Sequence, residues 1–72
     1  MERYRNASGN SGVTAYEIGP DYIRVQFSNT PATYTYSYQR AGSIHVENMK
    51  DLARSGSGLG TYINRHTKYL YD

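Results

Sequence analysis

The sequence predicts one α+β domain, in which a three-stranded antiparallel β-meander precedes two helices packed on one face of the sheet (β-β-β-α-α). Two patterns and the chain length lead to this prediction. Apolar and polar residues alternate with a period of two in the first half of the chain, whereas apolar residues recur three and four positions apart in the second half. A length of 72 residues leaves room for a single domain. A sheet layer and a helical layer together bury both apolar faces.

The chain opens with a polar segment and then a strand. Residues 1–12 contain charged residues, asparagine, serine and glycine and show no apolar period, so they are expected to form a flexible leader, with residues 13–72 as the domain. The first strand is predicted at residues 13–19, where the sequence alternates. The Gly-Pro-Asp sequence at 19–21 then predicts a turn, because proline fixes its own φ and glycine permits unusual backbone angles.

The second and third strands are marked by strict alternation. Residues 22–28 place Ile23, Val25 and Phe27 on one face and polar side chains on the other. After a second turn, hydroxyl residues alternate with tyrosines over residues 33–38, and both types favour strands. These three strands predict a meander with one buried and one solvated face.

The tyrosines of the third strand, Tyr34, Tyr36 and Tyr38, share one face and allow two interpretations. On an open sheet surface they can stack on unpaired bases, at about 1–3 kcal/mol per base. Facing the helices, they would instead supply core area. Apart from Met1, only eleven non-aromatic apolar residues are larger than alanine, against nine tyrosines and one phenylalanine. Because a small domain needs nearly all of its apolar groups for burial, the core interpretation is favoured.

Two helical segments are predicted in the second half of the chain. The first runs from about Ile44 to Arg54, with Ser43 as its N-cap. Its apolar stripe comprises Val46, Met49, Leu52 and Ala53. A second stripe comprises Leu59, Tyr62, Ile63 and His66. The glycines of residues 56–60 are interpreted as turn residues rather than a phosphate-binding loop, because no strand precedes them and no Lys-Ser or Lys-Thr follows.

Three features, in their order and spacing, are typical of one known family. They are a Tyr-x-Tyr at residues 34–36 after a strand ending in Phe27, a glycine followed by aromatic residues and asparagine at residues 60–64, and a closing tyrosine at Tyr69 or Tyr71. On these residues about four-fifths of the chain resembles the KTSC domain, a short module also found at the C-terminus of some lysyl-tRNA synthetases. The resemblance implies the fold described above, an RNA-binding role without an established activity, and a bacterial or phage origin.

The sequence departs from the family pattern in two places. Ile44-His45 stands where the family often has Val-Pro at the start of the first helix, and the segment between Tyr36 and that helix is longer than in the typical member. Both departures affect the expected start of the first helix.

Composition excludes several classes of protein. Without cysteine, the chain has no disulfide, thiolate zinc site, iron–sulfur cluster or cysteine nucleophile. No run approaches the roughly twenty apolar residues of a membrane span, and the leader lacks the hydrophobic segment of a signal peptide. A cytoplasmic protein without a membrane partner is expected.

The cations of the chain also allow two interpretations. Eight basic and six acidic residues give a net charge of +2. Arg54, Arg65 and Lys68 are expected where the first helix ends and the second runs, beside free amides of the turn, and Arg24 is expected on the open face of the sheet; such groups can hold phosphates. A merely solvated face is favoured, because nucleic-acid-binding domains usually carry a denser basic surface.

His45 and His66 are the only side chains expected to titrate near neutral pH, yet neither lies in a ligand-spaced motif with another His, Cys, Asp or Glu. No catalytic residue, metal site or cofactor is therefore predicted. An enzyme is the least favoured class.

Two functional hypotheses remain. The first is a small non-enzymatic module that binds nucleic acid, RNA rather than DNA. Its candidate site residues are Arg24, Tyr34, Tyr36, Arg54, Arg65 and Lys68. The alternative is a protein–protein interaction module or adaptor of bacterial or phage origin, because tyrosine is enriched at interfaces. In either case the chain is expected to be a monomer or a weak dimer.

Overall fold

The computed structural model describes residues 1–6 and 12–72. The strands are β1 (Glu2–Arg3), β2 (Val13–Ile18), β3 (Tyr22–Phe27) and β4 (Thr33–Ser37). The helices are α1 (Ser43–Ser55), α2 (Leu59–Tyr62) and a π-helix (Ile63–Thr67) that continues α2. The predicted α+β class is confirmed. Among the described residues no helix combines the length and the apolar character needed to cross a membrane.

The sheet has four strands rather than the predicted three. They pair in chain order, β1-β2-β3-β4, and every pair is antiparallel. The additional strand, β1, lies within the predicted leader and pairs Glu2 with Tyr16 and Arg3 with Ala15. A pairing of two residues is too short to produce a period of two, so no sequence pattern marks this strand. Residues 7–11 of the predicted leader lie outside the described residues.

Tyr4 attaches the chain beside β1 to the rest of the domain. Its side chain is buried, and its backbone N–H donates to the Thr14 carbonyl at 2.9 Å. Its hydroxyl accepts a hydrogen bond from the Leu59 backbone N–H at 3.2 Å. Leu59 begins α2, where backbone N–H groups have no partner within the helix. The hydroxyl therefore connects two segments that are far apart in the sequence.

Replacing Tyr4 by phenylalanine is expected to lower the free energy of unfolding by about 1–3 kcal/mol, because the buried Leu59 N–H loses its acceptor while the ring stays in place. Urea unfolding followed by circular dichroism measures the difference. Tyr69→Phe, in a side chain that is largely exposed, is the matched control and should change stability by less than about 0.5 kcal/mol. Equal stability of the two variants would show that the Tyr4 hydroxyl does not hold the strand.

The register of the sheet decides which tyrosines are buried. Ile23 lies opposite Tyr36 and Val25 lies opposite Tyr34, so these side chains share the face against which α1 packs. Tyr36 is 1% exposed and Tyr34 is half-buried, as the core interpretation expects. Tyr38 follows the end of β4 and is 37% exposed, so the core interpretation is wrong for this residue. The helical core residues are Val46, Met49, Ala53, Leu59 and Ile63.

Both ends of α1 depend on glycine. The helix spans Ser43–Ser55, and its N-cap is Gly42 with a φ of 98°, not the Ser43 side chain that the sequence predicted. At the other end Gly56 has a φ of 80°, and its N–H caps the last turn. A Cβ at Gly56 would lie 2.5 Å from the Cβ of Arg5. Gly56 is therefore required by both its backbone angle and its close packing, which confirms the turn interpretation of this glycine.

The period of the second helical stretch changes at Ile63. The π-helix joins residues five apart, so each turn is wider than in an α-helix. As a result Thr67, rather than His66, faces the core; Thr67 is fully buried and its hydroxyl donates to Met49 Sδ at 3.6 Å. His66 is exposed, so its predicted place on the apolar stripe is wrong. Ile63 is buried as predicted.

Candidate functional site

An aromatic cleft with a volume of about 390 Å³ lies between the β3–β4 hairpin and the last helical turn. Its lining residues are Phe27, Asn29, Thr30, Tyr34, Tyr36, Ile63, Asn64, Lys68, Tyr69 and Tyr71. Half of them are aromatic, and Lys68 supplies the only cationic side chain of this lining. Small-molecule and cofactor sites have similar volumes, about 300–1,000 Å³, and a similar mixture of apolar rings with a few polar groups.

Three edge-to-face ring contacts form the inner wall of the cleft. Phe27 ends β3 and Tyr34 lies near the start of β4, which places their ring centroids 5.6 Å apart across the hairpin. The Tyr71 ring lies 4.9 Å from that of Tyr34 and 6.4 Å from that of Tyr36. Edge-to-face packing at these distances is favourable and orients each ring. The wall is therefore a connected set of rings.

The closing segment, Lys68–Asp72, is held against the edge of β4 and completes the cleft. The Asp72 backbone N–H donates to the Thr35 carbonyl at 2.8 Å, and the Ser37 hydroxyl donates to the Asp72 carboxylate at 2.8 Å. These two bonds extend the segment along β4 and place Tyr71 over the sheet tyrosines. The site thus depends on contacts between residues 35 positions apart.

The tyrosines of the cleft differ in what they offer a ligand. Tyr36 is 1% exposed and forms the floor, where burial, together with the neighbouring Tyr34 and Tyr71 hydroxyls, raises the pKa of its phenol to about 12. Tyr69 lies at the mouth and is 74% exposed, with the Lys68 Nζ 5.5 Å from its ring centroid. The mouth of the cleft therefore presents an exposed ring with an ammonium group over one of its faces.

The structure brings together three of the six predicted site residues. Tyr34, Tyr36 and Lys68 line the cleft. Arg24 lies on the opposite face of the sheet, in register with Glu17 and Thr35, and forms an exposed ion pair with Glu17 at 3.7 Å.

The other two predicted cations lie outside the cleft lining. Arg54, at the end of α1, pairs with Asp51 at 3.5 Å. Arg65 is exposed on the π-helix, three positions before Lys68. Within the described residues, Arg65 and Lys68 form no ion pair with a carboxylate. These two are the cations of the predicted set that remain available to an anion near the cleft.

Sequence reasoning did not place Phe27, Asn29, Thr30 or Asn64 in a site. The turn residues Asn29 and Thr30 lie beside the cleft only because the hairpin brings them there, and Asn64 only because the π-helix directs it to the same side. Two signals were available in the sequence. One is the Tyr-x-Tyr of β4, whose face follows from alternation once the register with β3 is known. The other is the set of family-like features near the end of the chain, which includes Asn64, Tyr69 and Tyr71.

Comparison with known proteins adds no relative: no family model matches this chain, and no curated protein and no solved structure is significantly similar to it. The geometry and chemistry of the cleft are therefore the basis on which a function is inferred.

Proposed function

We propose that this protein is a small non-enzymatic module, similar to the KTSC domain, that binds single-stranded RNA by holding one base in the aromatic cleft. The observation that supports the proposal is the convergence of five aromatic rings, an exposed lysine and three uncharged polar side chains around about 390 Å³. Residues on which the family resemblance is based, Tyr34, Tyr36 and Asn64, lie together in this lining.

Stacking supplies the binding energy in this proposal. Tyr69 is largely exposed to solvent, and the half-buried Tyr34 and Phe27 line the same cleft. A base stacked on an aromatic side chain contributes about 1–3 kcal/mol. Such stacking requires an unpaired base, which favours a single strand or a loop over a duplex.

The charges near the cleft suit a short contact with the phosphate backbone. Lys68 lies at the mouth and Arg65 lies almost one helical turn before it. Two phosphate contacts on a single strand correspond to a slope of about −1.4 for log K against log salt concentration. Affinity is then expected to fall about sevenfold between 50 and 200 mM salt, a modest dependence that agrees with the net charge of +2.

The polar side chains of the cleft favour RNA over DNA. Asn29, Thr30 and Asn64 carry amide and hydroxyl groups that both donate and accept hydrogen bonds. A ribose 2′-hydroxyl is also both donor and acceptor, and it is the group that distinguishes the two nucleic acids. Binding to an RNA oligonucleotide is therefore expected to exceed binding to the DNA of the same sequence.

Fluorescence anisotropy with a labelled single-stranded RNA tests the proposal. Tyr69→Ala is expected to weaken binding by about 5–150-fold, the equivalent of one stacked base. Lys68→Ala is expected to reduce the salt slope by about 0.7, because one phosphate contact is lost. Arg24→Ala removes a cation from the opposite face of the sheet and is the matched control, with unchanged affinity and salt slope.

Two results would contradict RNA binding at the cleft. One is the absence of binding to RNA in micromolar titrations; the other is an equal loss of affinity in Arg24→Ala and Lys68→Ala, which would indicate non-specific charge attraction. Failure in the first titration would favour the protein-interaction alternative.

A further inference from the structure

A second cluster of functional groups lies between α1 and the π-helix, apart from the aromatic cleft. His45 and Asn48 belong to α1, whereas Tyr62 ends α2 and His66 lies in the π-helix. The two imidazole rings are 5.8 Å apart between centroids with 28° between their planes, and the Tyr62 ring lies 4.6 Å from that of His66. The fold thus brings together the only two histidines of the chain.

The Tyr62 hydroxyl holds one of the two imidazoles in place. Nδ1 of His45 lies 2.7 Å from Tyr62 Oη, and the Asn48 side-chain amide donates to the same oxygen at 3.2 Å. This leaves Nε2 of His45 as the nitrogen available to a ligand. In metal sites, the second nitrogen of a ligating histidine is held in this way, and the hydrogen bond sets the ring orientation.

The ring separation fits a shared metal ion. Because a zinc–nitrogen bond is about 2.0–2.1 Å long, the ion lies about 3.2 Å from the centroid of each imidazole that it binds. The two centroids are then about 5.2 Å apart for a tetrahedral angle at the ion and about 6.4 Å apart for a linear one. The observed 5.8 Å lies between these limits. His66 is exposed, so its ring is able to rotate about the Cβ–Cγ bond, which leaves the centroid nearly in place and turns a nitrogen toward the ion.

We propose that His45 and His66 form a two-imidazole site for a divalent transition-metal ion that prefers nitrogen ligands, such as zinc or copper(II). Imidazole favours these ions over magnesium and calcium, which take oxygen ligands. The described residues contain no group of three or more histidine, cysteine or acidic side chains placed to hold a metal. Water therefore completes the coordination, and the ion retains positions that are open to exchange.

Calorimetric titration of the full chain, prepared without a histidine tag, with zinc chloride at pH 7.5 is the direct test. One zinc ion per chain is expected to bind. Magnesium at the same concentrations is expected not to bind. The NMR signals of both imidazoles should shift together during the zinc titration. At a hundredfold excess over the dissociation constant, zinc should raise the Tm by about 11–22 °C, because it binds the folded state.

Single substitutions distinguish a shared ion from one bound by a single surface histidine. His45→Gln and His66→Gln are each expected to weaken zinc binding about tenfold or more, and the double variant should be little worse than either single variant, since each removes the same chelate. Tyr62→Phe keeps the ring but removes the hydroxyl that holds His45, so the affinity for zinc is expected to fall about tenfold.

Three outcomes would overturn the proposal: no zinc binding up to millimolar concentration, equal binding of magnesium, or loss of binding in only one of the two histidine variants. His66 is exposed, so His66→Gln is expected to fold, and its urea unfolding curve verifies this. RNA binding by the same variants is measured separately, because the proposed metal site and the aromatic cleft share no residue.

Discussion

Replacing Tyr36 by alanine is expected to lower the free energy of unfolding by about 3–5 kcal/mol, the range observed when a large buried aromatic side chain is truncated. A domain of 72 residues has a total stability of roughly 4–11 kcal/mol. The variant should therefore be marginally folded at 25 °C. Among the described residues Tyr36 is the largest fully buried side chain, and it lies on β4 opposite Ile23 of β3.

Two matched variants show whether stability depends on the buried ring of Tyr36, on its hydroxyl, or on any tyrosine ring of the cleft. Tyr36→Phe retains the ring and should keep most of the stability. Tyr69→Ala removes an exposed ring of the same cleft and is expected to change the free energy of unfolding by less than about 0.5 kcal/mol. Urea unfolding followed by circular dichroism measures all three. A Tyr36→Ala variant as stable as Tyr69→Ala would mean that Tyr36 is not part of the core.

Alkaline pH is expected to destabilise the domain through the same residue. Burial, together with the neighbouring Tyr34 and Tyr71 hydroxyls, raises the pKa of Tyr36 from its ordinary value of 10.0 to about 12. Below pH 10 the phenol is protonated in both states, and stability is complete. Between about pH 10 and 12 the unfolded chain loses the proton first, so stability falls by on the order of 2–3 kcal/mol and then levels off. Burial and Glu2 also raise the pKa of Tyr16, which acts in the same direction.

The pH dependence of unfolding in Tyr36→Phe identifies the residue responsible. Phenylalanine does not titrate, so the loss of stability between pH 10 and 12 should be smaller in this variant than in the parent by on the order of 2–3 kcal/mol. Urea unfolding midpoints recorded at intervals of half a pH unit provide the comparison. Parallel curves for the two proteins would assign the alkaline transition to other groups.

Local patterns predicted much of the fold but only part of the site. The alternation through Ile23 and Val25 correctly identified the buried face of a strand, and the glycine after α1 correctly marked the end of that helix. β1 was missed because it pairs only two residues, whose partner strand lies more than ten positions away. His66 was placed on the buried stripe because the prediction assumed a period of 3.6, which the π-helix does not follow.

The sequence likewise predicted some residues of the candidate site but not how they are assembled. Tyr34 and Tyr36 were recognisable because alternation places both on one face of β4. The sequence did not show that these tyrosines are enclosed in a cleft. The cleft requires a hydrogen bond from the Asp72 backbone N–H to the Thr35 carbonyl, and it requires Tyr71 to pack over the sheet. Arg24 was predicted as a site residue from its charge. In the structure it lies on the face of the sheet opposite the cleft, where it pairs with Glu17.

Residue type and spacing within about ten positions were enough to establish the α+β class, the buried strand face and the need for tyrosine in the core, because these follow from backbone periodicity and from the small supply of aliphatic residues. The aromatic cleft and the histidine pair were decided by the tertiary structure. Each joins residues more than 20 positions apart, His45 with His66 and Ser37 with Asp72. Which distant side chains meet depends on strand register, on the change of helix period at the π-helix and on packing of the whole chain, and no local pattern in this sequence marked them.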